Sequence, residues 1–137
     1  MRSGRRKQAI PALLGVPIGC GIDVVELPRF KRALTRGGAA FLRRVFTARE
    51  QAYARARKKT ELLHLAGRFA AKEAVIKAVS QITPARLLAM RQVEVRNDAF
   101  GRPHIILHRA GLGRVKVHIS LSHVKSVAVA SAIAVRA

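Results

Sequence analysis

The chain has 137 residues, half of them hydrophobic, which suits one domain with its own core and leaves no room for a second of ordinary size. Lysine and arginine number 27 against 7 acidic residues, a net charge of +20, so anionic partners are favoured without a choice among nucleic acid, lipid, phosphorylated metabolite and acidic protein. A single cysteine, Cys20, excludes an intrachain disulfide and a multi-cysteine zinc site and fits a reducing cytoplasm.

At the N-terminus, Arg2, Arg5, Arg6 and Lys7 precede an apolar run over residues 9–22 that superficially reads as a secretion signal. Pro11 and Pro17 interrupt it, and it passes directly into Ile22-Asp23-Val24-Val25-Glu26, the pattern of a core strand. Residues 1–16 are therefore expected to be a basic, flexible tail and residues 17–137 a single domain. A buried strand is expected over 18–25, bounded by Pro17 and Pro28. Pro28 suits the first turn of a helix, and Thr47-Ala48-Arg49-Glu50 is a capping box that opens a further helix to about residue 57. From 60 to 80, Leu62, Leu65, Ala66, Phe69, Ala70, Ala74 and Val75 or Ile76 recur at three- and four-residue intervals, which predicts a long central helix. Strand patterns follow at 92–96, 104–108, 115–121 and 126–135, with a turn at 97–101, and read as a β-meander. Helices segregated from antiparallel strands indicate an α+β domain of two layers. The longest apolar stretch, residues 127–135, is far short of the ~20 needed to cross a bilayer.

In so basic a chain, a carboxylate inside an apolar element stands out. Asp23 sits in the first strand and Glu73 in the central helix. One reading pairs Glu73 with Lys77 at i,i+4 and lets Asp23 cap a helix or meet an arginine. The other brings the two carboxylates together, with Lys77 one turn away, to hold Mg²⁺ and a phosphate, since Mg²⁺ takes one or two carboxylates plus phosphate oxygens. Further along, period-2 alternation puts His118, Ser120 and Ser122 on one strand face. No acid lies nearby to complete a nucleophilic triad, but these hydroxyls and His123 suit hydrogen bonding to phosphate. None of the five histidines shows the spacing of a helical zinc site. Arg29, Lys31, Arg32, Arg36, Arg43, Arg44 and Arg49 form a solvated basic face able to dock an acidic helix.

Gly21-Ile22-Asp23-Val24-Val25-Glu26, Phe46-Thr47-Ala48-Arg49-Glu50, Leu65-Ala66-Gly67-Arg68-Phe69-Ala70-Ala71-Lys72-Glu73-Ala74 with Lys77-Ala78, Asn97-Asp98 with Gly101-Arg102-Pro103, and Ser120-Leu121-Ser122-His123 stand in this order. In these pieces the sequence resembles the holo-acyl-carrier-protein synthases, the short bacterial type of 4′-phosphopantetheinyl transferase. The resemblance implies the fold of that family, a long central helix on an antiparallel sheet. It also implies Mg²⁺-dependent transfer of 4′-phosphopantetheine from coenzyme A to a serine of apo acyl carrier protein, releasing adenosine 3′,5′-bisphosphate, as part of fatty acid biosynthesis. By the same resemblance Asp23 and Glu73 are the metal carboxylates, Glu73 also serving as the base, directly or through water. Lys77 contacts phosphate, Ser120 and His123 belong to the coenzyme A pocket, and Arg29 and Arg44 grip the acyl carrier protein. A homotrimer with active sites between subunits is implied too. The segment Val79-Ser80-Gln81-Ile82-Thr83-Pro84 departs from the Gly-Thr-Gly-like loop that many members carry there.

Two competing readings remain at this level. A basic nucleic-acid-binding protein fits the charge, although aromatic residues are only 4% with no tryptophan, so stacking platforms are scarce. An inactive module that binds carrier protein without turnover fits the altered loop.

Overall fold

One long strand and one long helix form the centre of the computed structural model, which describes residues 9–10, 12–83 and 88–137. The strand β2 (Val16–Glu26) follows a two-residue strand β1 (Ala12–Leu13), and the helix α3 (Glu61–Ile82) lies against β2. Between them come α1 (Leu27–Val45) and α2 (Ala48–Arg55), and after α3 come β3 (Val93–Asn97), β4 (Pro103–Leu107), β5 (Val115–Val124) and β6 (Val127–Arg136). The main sheet has the order β1-β2-β6-β5, with every pair antiparallel, and β3-β4 form a separate hairpin. The α+β class and the long central helix are as expected. The β-meander is not, because β4 does not pair with β5 and the second half is two hairpins in different sheets.

Local signals account for most element bounds. Pro28 stands in the first turn of α1, where its missing N–H costs nothing. Thr47 Oγ1 accepts from Glu50 N at 3.2 Å and Glu50 Oε1 accepts from Thr47 N at 2.9 Å, the capping box that starts α2. α2 ends two residues earlier than expected, because Arg57 N turns to Ala54 O at 3.0 Å and closes a tighter turn. α3 runs on to Ile82, so the expected loop from 79 is helical as far as Ile82, and Gln81 accepts a hydrogen bond from Cys20 N at 2.9 Å. Residues 84–87 lie outside the described part. Within residues 1–16, expected to be a tail, Leu14 and Gly15, both at positive φ, turn the chain so that Leu13 pairs with Val16. The rest of that expectation, residues 1–8 and 11, is outside the described part.

The helix sits close on the sheet because both surfaces are made of small residues. Ala128, Ala130, Ala132 and Ala134 of β6 are buried under α3, as are Ala70, Ala71, Ala74 and Ala78 of the helix. A Cβ at Gly21 would stand 2.0 Å from the Ala74 carbonyl oxygen. Gly21→Ala should therefore destabilise the fold by about 1–3 kcal/mol through forced separation of α3 from β2; an unchanged urea midpoint would show that the helix can yield there.

α3 is buried nearly all round and carries two charges inward. Lys72 Nζ donates to Glu50 Oε1, and both side chains are fully buried. Glu50 Oε2 accepts from Val95 N at 2.9 Å, so one carboxylate joins α2, α3 and β3. On the other side Phe30, Phe41, Phe46 and Phe69 form an aromatic cluster with centroid spacings of 5.4 to 6.5 Å, which holds the two halves of α1 against α3. Those halves meet at Gly38, whose φ of 53° and ψ of −144° break the helix.

Candidate active site

Strand alternation and helix rotation together decide which carboxylates meet. Asp23 pairs with Ala130 and shares the helix-facing side of β2 with Gly21 and Val25. Glu73 emerges from α3 opposite it, and both line a cleft of about 290 Å³ walled by Val25, Phe30, Ala33, Phe41 and Phe69. Burial pushes the Glu73 carboxyl above its ordinary value, the Asp23 charge adds to the rise, and Lys77 partly offsets it. Lys77 does not pair with Glu73 in the i,i+4 manner. Its Nζ reaches across to the Ile22 carbonyl at 2.9 Å and to Asp23 Oδ1 at 3.4 Å. Glu73 accepts no hydrogen bond from any described residue.

A carboxylate pair of this kind is what a divalent cation would relieve. Among the described residues no group of three or more His, Cys, Asp or Glu could hold a metal. Among the described residues the cleft offers the hard oxygen ligands Asp23 and Glu73, a set that suits Mg²⁺ completed by water and phosphate and does not suit zinc.

Ser120 and His123 line a separate cleft of about 430 Å³ with Tyr53, His64, Arg68 and Asn97. The register puts Ser120 opposite Ser131 on the outer face with His118 and Ser122, whereas His123 lies opposite Ala128 on the face toward α3. Burial, then the charges of Arg68, Arg57 and His123, hold His64 below the usual histidine range, so it stays neutral at pH 7.

Arg68 is the residue that sequence reasoning quoted without giving it a role. It is 4% exposed, its Nη2 donates to Asn97 Oδ1 at 2.7 Å, and its guanidinium stacks 4.1 Å from the Tyr53 ring centre. Its Nε is buried and has no hydrogen-bond partner among the described residues. An orphaned guanidinium donor beside a histidine marks a place for an anion. No local signal singles it out, because with Lys72 one turn on it reads as the polar side of an ordinary helix.

The basic face also divides. Arg29 lines the carboxylate cleft from the first turn of α1, and Arg44 lies exposed in the last turn, 5.9 Å from the Phe41 ring centre. One chain therefore gathers Asp23, Glu73 and Arg29 in one cleft, holds Lys77 to Asp23, and keeps Ser120 and His123 in another. Among the described residues no helix is long and apolar enough to cross a membrane.

Known proteins resemble this chain in sequence and in fold. The family model described as "4′-phosphopantetheinyl transferase superfamily" matches residues 19–132. A holo-[acyl-carrier-protein] synthase of Clostridium acetobutylicum is 38% identical over 121 residues, covering 84% of this chain and 94% of the relative. That of Solidesulfovibrio magneticus is 42% identical over 118 residues, with 82% and 93% covered. Among solved structures, the Chronobacterium ammoniagenes ACPS-CoA complex is similar with a TM-score of 0.75 at 33% identity, covering 88% of this chain and 98% of that one. The Bacillus anthracis holo-(acyl-carrier-protein) synthase in complex with CoA (3′,5′-ADP) gives a TM-score of 0.72 at 37% identity, covering 87% and 96%. With the motifs in order, the fold matched over most of its length and the carboxylate pair in place, the chain belongs to the 4′-phosphopantetheinyl transferase superfamily, among the holo-[acyl-carrier-protein] synthases.

Proposed function

We propose that the chain transfers 4′-phosphopantetheine from coenzyme A to a serine of apo acyl carrier protein, releasing adenosine 3′,5′-bisphosphate, with Mg²⁺ held by Asp23 and Glu73. The observation that carries this reading is the carboxylate pair lining one cleft, with the Glu73 pKa raised and no hydrogen bond to it from a described residue. Bound Mg²⁺ would neutralise charge on the pyrophosphate as the leaving group departs. Glu73 takes the serine proton, directly or through one water, while the serine oxygen attacks the phosphorus that carries pantetheine. Its raised pKa makes it a stronger base than an ordinary glutamate. Lys77 orients Asp23 and retains a third ammonium proton for a phosphate oxygen. Arg68, Ser120 and His123 supply donors for the remaining phosphate groups of the nucleotide. Arg29 and Arg44 steer an acidic helix of the carrier to the cleft, a contact that weakens as salt rises.

The separation of the two clefts within one chain supports a homotrimer whose active sites lie between subunits. The outer face of the main sheet supports it too, since Ile22, Val24, Val124 and Ile133 are 62%, 59%, 65% and 47% exposed. Val24→Asp should convert the assembly to monomers, read by light scattering during size exclusion, and lower turnover with it; a trimer that persists would exclude this face as the interface. The setting is cytoplasmic fatty acid and lipid metabolism.

The decisive experiment incubates the protein with coenzyme A, Mg²⁺ and an apo acyl carrier protein, then weighs the carrier by intact mass spectrometry with and without EDTA. A gain of one phosphopantetheine that EDTA abolishes is expected. Carrier that binds but gains no mass would show the inactive module instead.

A further inference from the structure

The turn at Leu14 runs against its own local preference. Leu13 pairs with Val16, so Leu14 and Gly15 are the whole loop of the β1–β2 hairpin, and both stand at positive φ, 52° and 76°. A two-residue loop of that kind takes asparagine, aspartate or glycine at its first position, because a bulky side chain crowds the backbone there. Leucine fills it instead and is 95% exposed, while Leu13 and Ile10, close by in the chain, are 60% and 41% exposed. A strained residue that also displays apolar surface is held against both conformation and water, which points to something that it contacts.

The charge around this hairpin is of one sign. Residues 1–22 and 99–137 contain no aspartate or glutamate. Arg2, Arg5, Arg6 and Lys7 precede the hairpin in sequence. The sheet register brings more basic residues to the same end of the molecule: Ile18 pairs with Val135, Val135 with Lys116 and Arg136 with Val115, and Ala137 N donates to the Arg114 carbonyl at 3.1 Å. The first carboxylate along β2 is Asp23, seven residues from Val16, about 23 Å at the ~3.3 Å rise of a strand.

We infer that the β1–β2 hairpin docks the protein on an anionic lipid surface. Leu14, Leu13 and Ile10 enter the boundary between headgroups and acyl chains, and the basic residues around them face lipid phosphates. Stable peripheral attachment takes two signals, such as an apolar anchor and a basic patch, since one by itself binds only weakly. A protein partner fits less well. A stable interface buries about 800 Å² on each side, and a two-residue turn with three apolar side chains offers a small fraction of that, whereas a bilayer needs no matching shape. The carboxylate cleft lies toward the other end of β2 and stays open while the hairpin is docked. The inference does not depend on the transferase reading.

The test separates insertion from adsorption by charge. The chain has no tryptophan, so Leu14→Trp gives the full-length protein a single reporter. Its fluorescence should shift to the blue on vesicles of equal parts phosphatidylglycerol and phosphatidylcholine and stay unshifted on phosphatidylcholine alone. Leu14→Asn keeps the net charge and suits the positive φ. It should bind the anionic vesicles about 10-fold more weakly in co-sedimentation, the scale of burying most of one leucine side chain, with a melting temperature equal to or above that of the wild type. Co-sedimentation of Leu14→Trp without a blue shift, or undiminished binding by Leu14→Asn, would mean that charge alone holds the protein and would overturn the inference. A changed oligomeric state in Leu14→Asn, read by light scattering, with vesicle binding as in the wild type would overturn it in favour of a contact between copies of the chain. Wild-type protein that leaves the anionic vesicles unbound would overturn it outright.

Discussion

Glu73→Gln should lower phosphopantetheine transfer by at least about 10³-fold while leaving the melting temperature unchanged or slightly raised. The loss is that expected when a charge-stabilising group aimed at the reacting atoms is removed, compounded by loss of the base. The fold should not suffer, because Glu73 accepts no hydrogen bond from a described residue and its charge is opposed by burial and by Asp23. Asp23→Ala should be equally inactive, and either variant should lose the Mg²⁺-dependent rise in melting temperature that the wild type shows. Turnover within tenfold of wild type in Glu73→Gln would remove that residue from the mechanism.

The same geometry gives a pH dependence with a definite sign. Because the folded-state pKa of Glu73 is raised, the folded protein holds that proton more tightly than the unfolded chain does. Metal-free stability should therefore fall as pH rises through the window just above the ordinary glutamate value. Mg²⁺ affinity should rise through the same window, since the ion requires the carboxylate. Asp23→Asn should move that window to lower pH, because the neighbouring charge is the second cause of the shift. A profile that does not move would mean that burial alone sets it.

The second large effect is on stability. Lys72→Met should cost about 3–5 kcal/mol, a large part of the ~5–15 kcal/mol available to a domain of this size. It leaves Glu50 buried with one partner gone, although Thr47 N and Val95 N still donate to it at 2.9 Å. Glu50→Ala should be at least as damaging, since it strands Lys72, whose pKa is already pulled down by burial and held up mainly by that carboxylate, with a smaller contribution from Glu94. Urea unfolding of the two single variants and of Lys72→Met with Glu50→Gln provides the check. The double variant should recover part of the loss, and a cost below about 1 kcal/mol in either single variant would show that the pair is not what joins α2 to α3.

How much of this was legible beforehand follows from the range of each interaction. Pro28, the Thr47–Glu50 capping box and the three-four spacing of Leu65, Ala66, Phe69 and Ala70 act within one or two turns, so α1, α2 and α3 could be read from adjacent residues. Asp23 and Glu73 could be singled out for the same reason, each being an acid in an apolar stretch of a chain with 27 basic residues. The split of the strands into two sheets could not, because strand patterns carry their period and not their partners. Arg68 and Lys72 were equally hidden. Each looks like the polar face of an ordinary helix until the sheet, α2 and the β3-β4 hairpin close around α3 and bury it.

By itself the sequence determined the helices, the strand segments and the two acids set in apolar elements, because those properties are set by neighbours along the chain. The tertiary structure decided that Lys77 turns to Asp23 across 54 residues, that Lys72 meets Glu50 across 22, and that Ser120 and His123 fall on opposite faces of β5. It also decided that the carboxylates share their cleft with three phenylalanines. Each of these outcomes depends on which distant segments are brought together when apolar surface is buried, and local periodicity does not encode that choice.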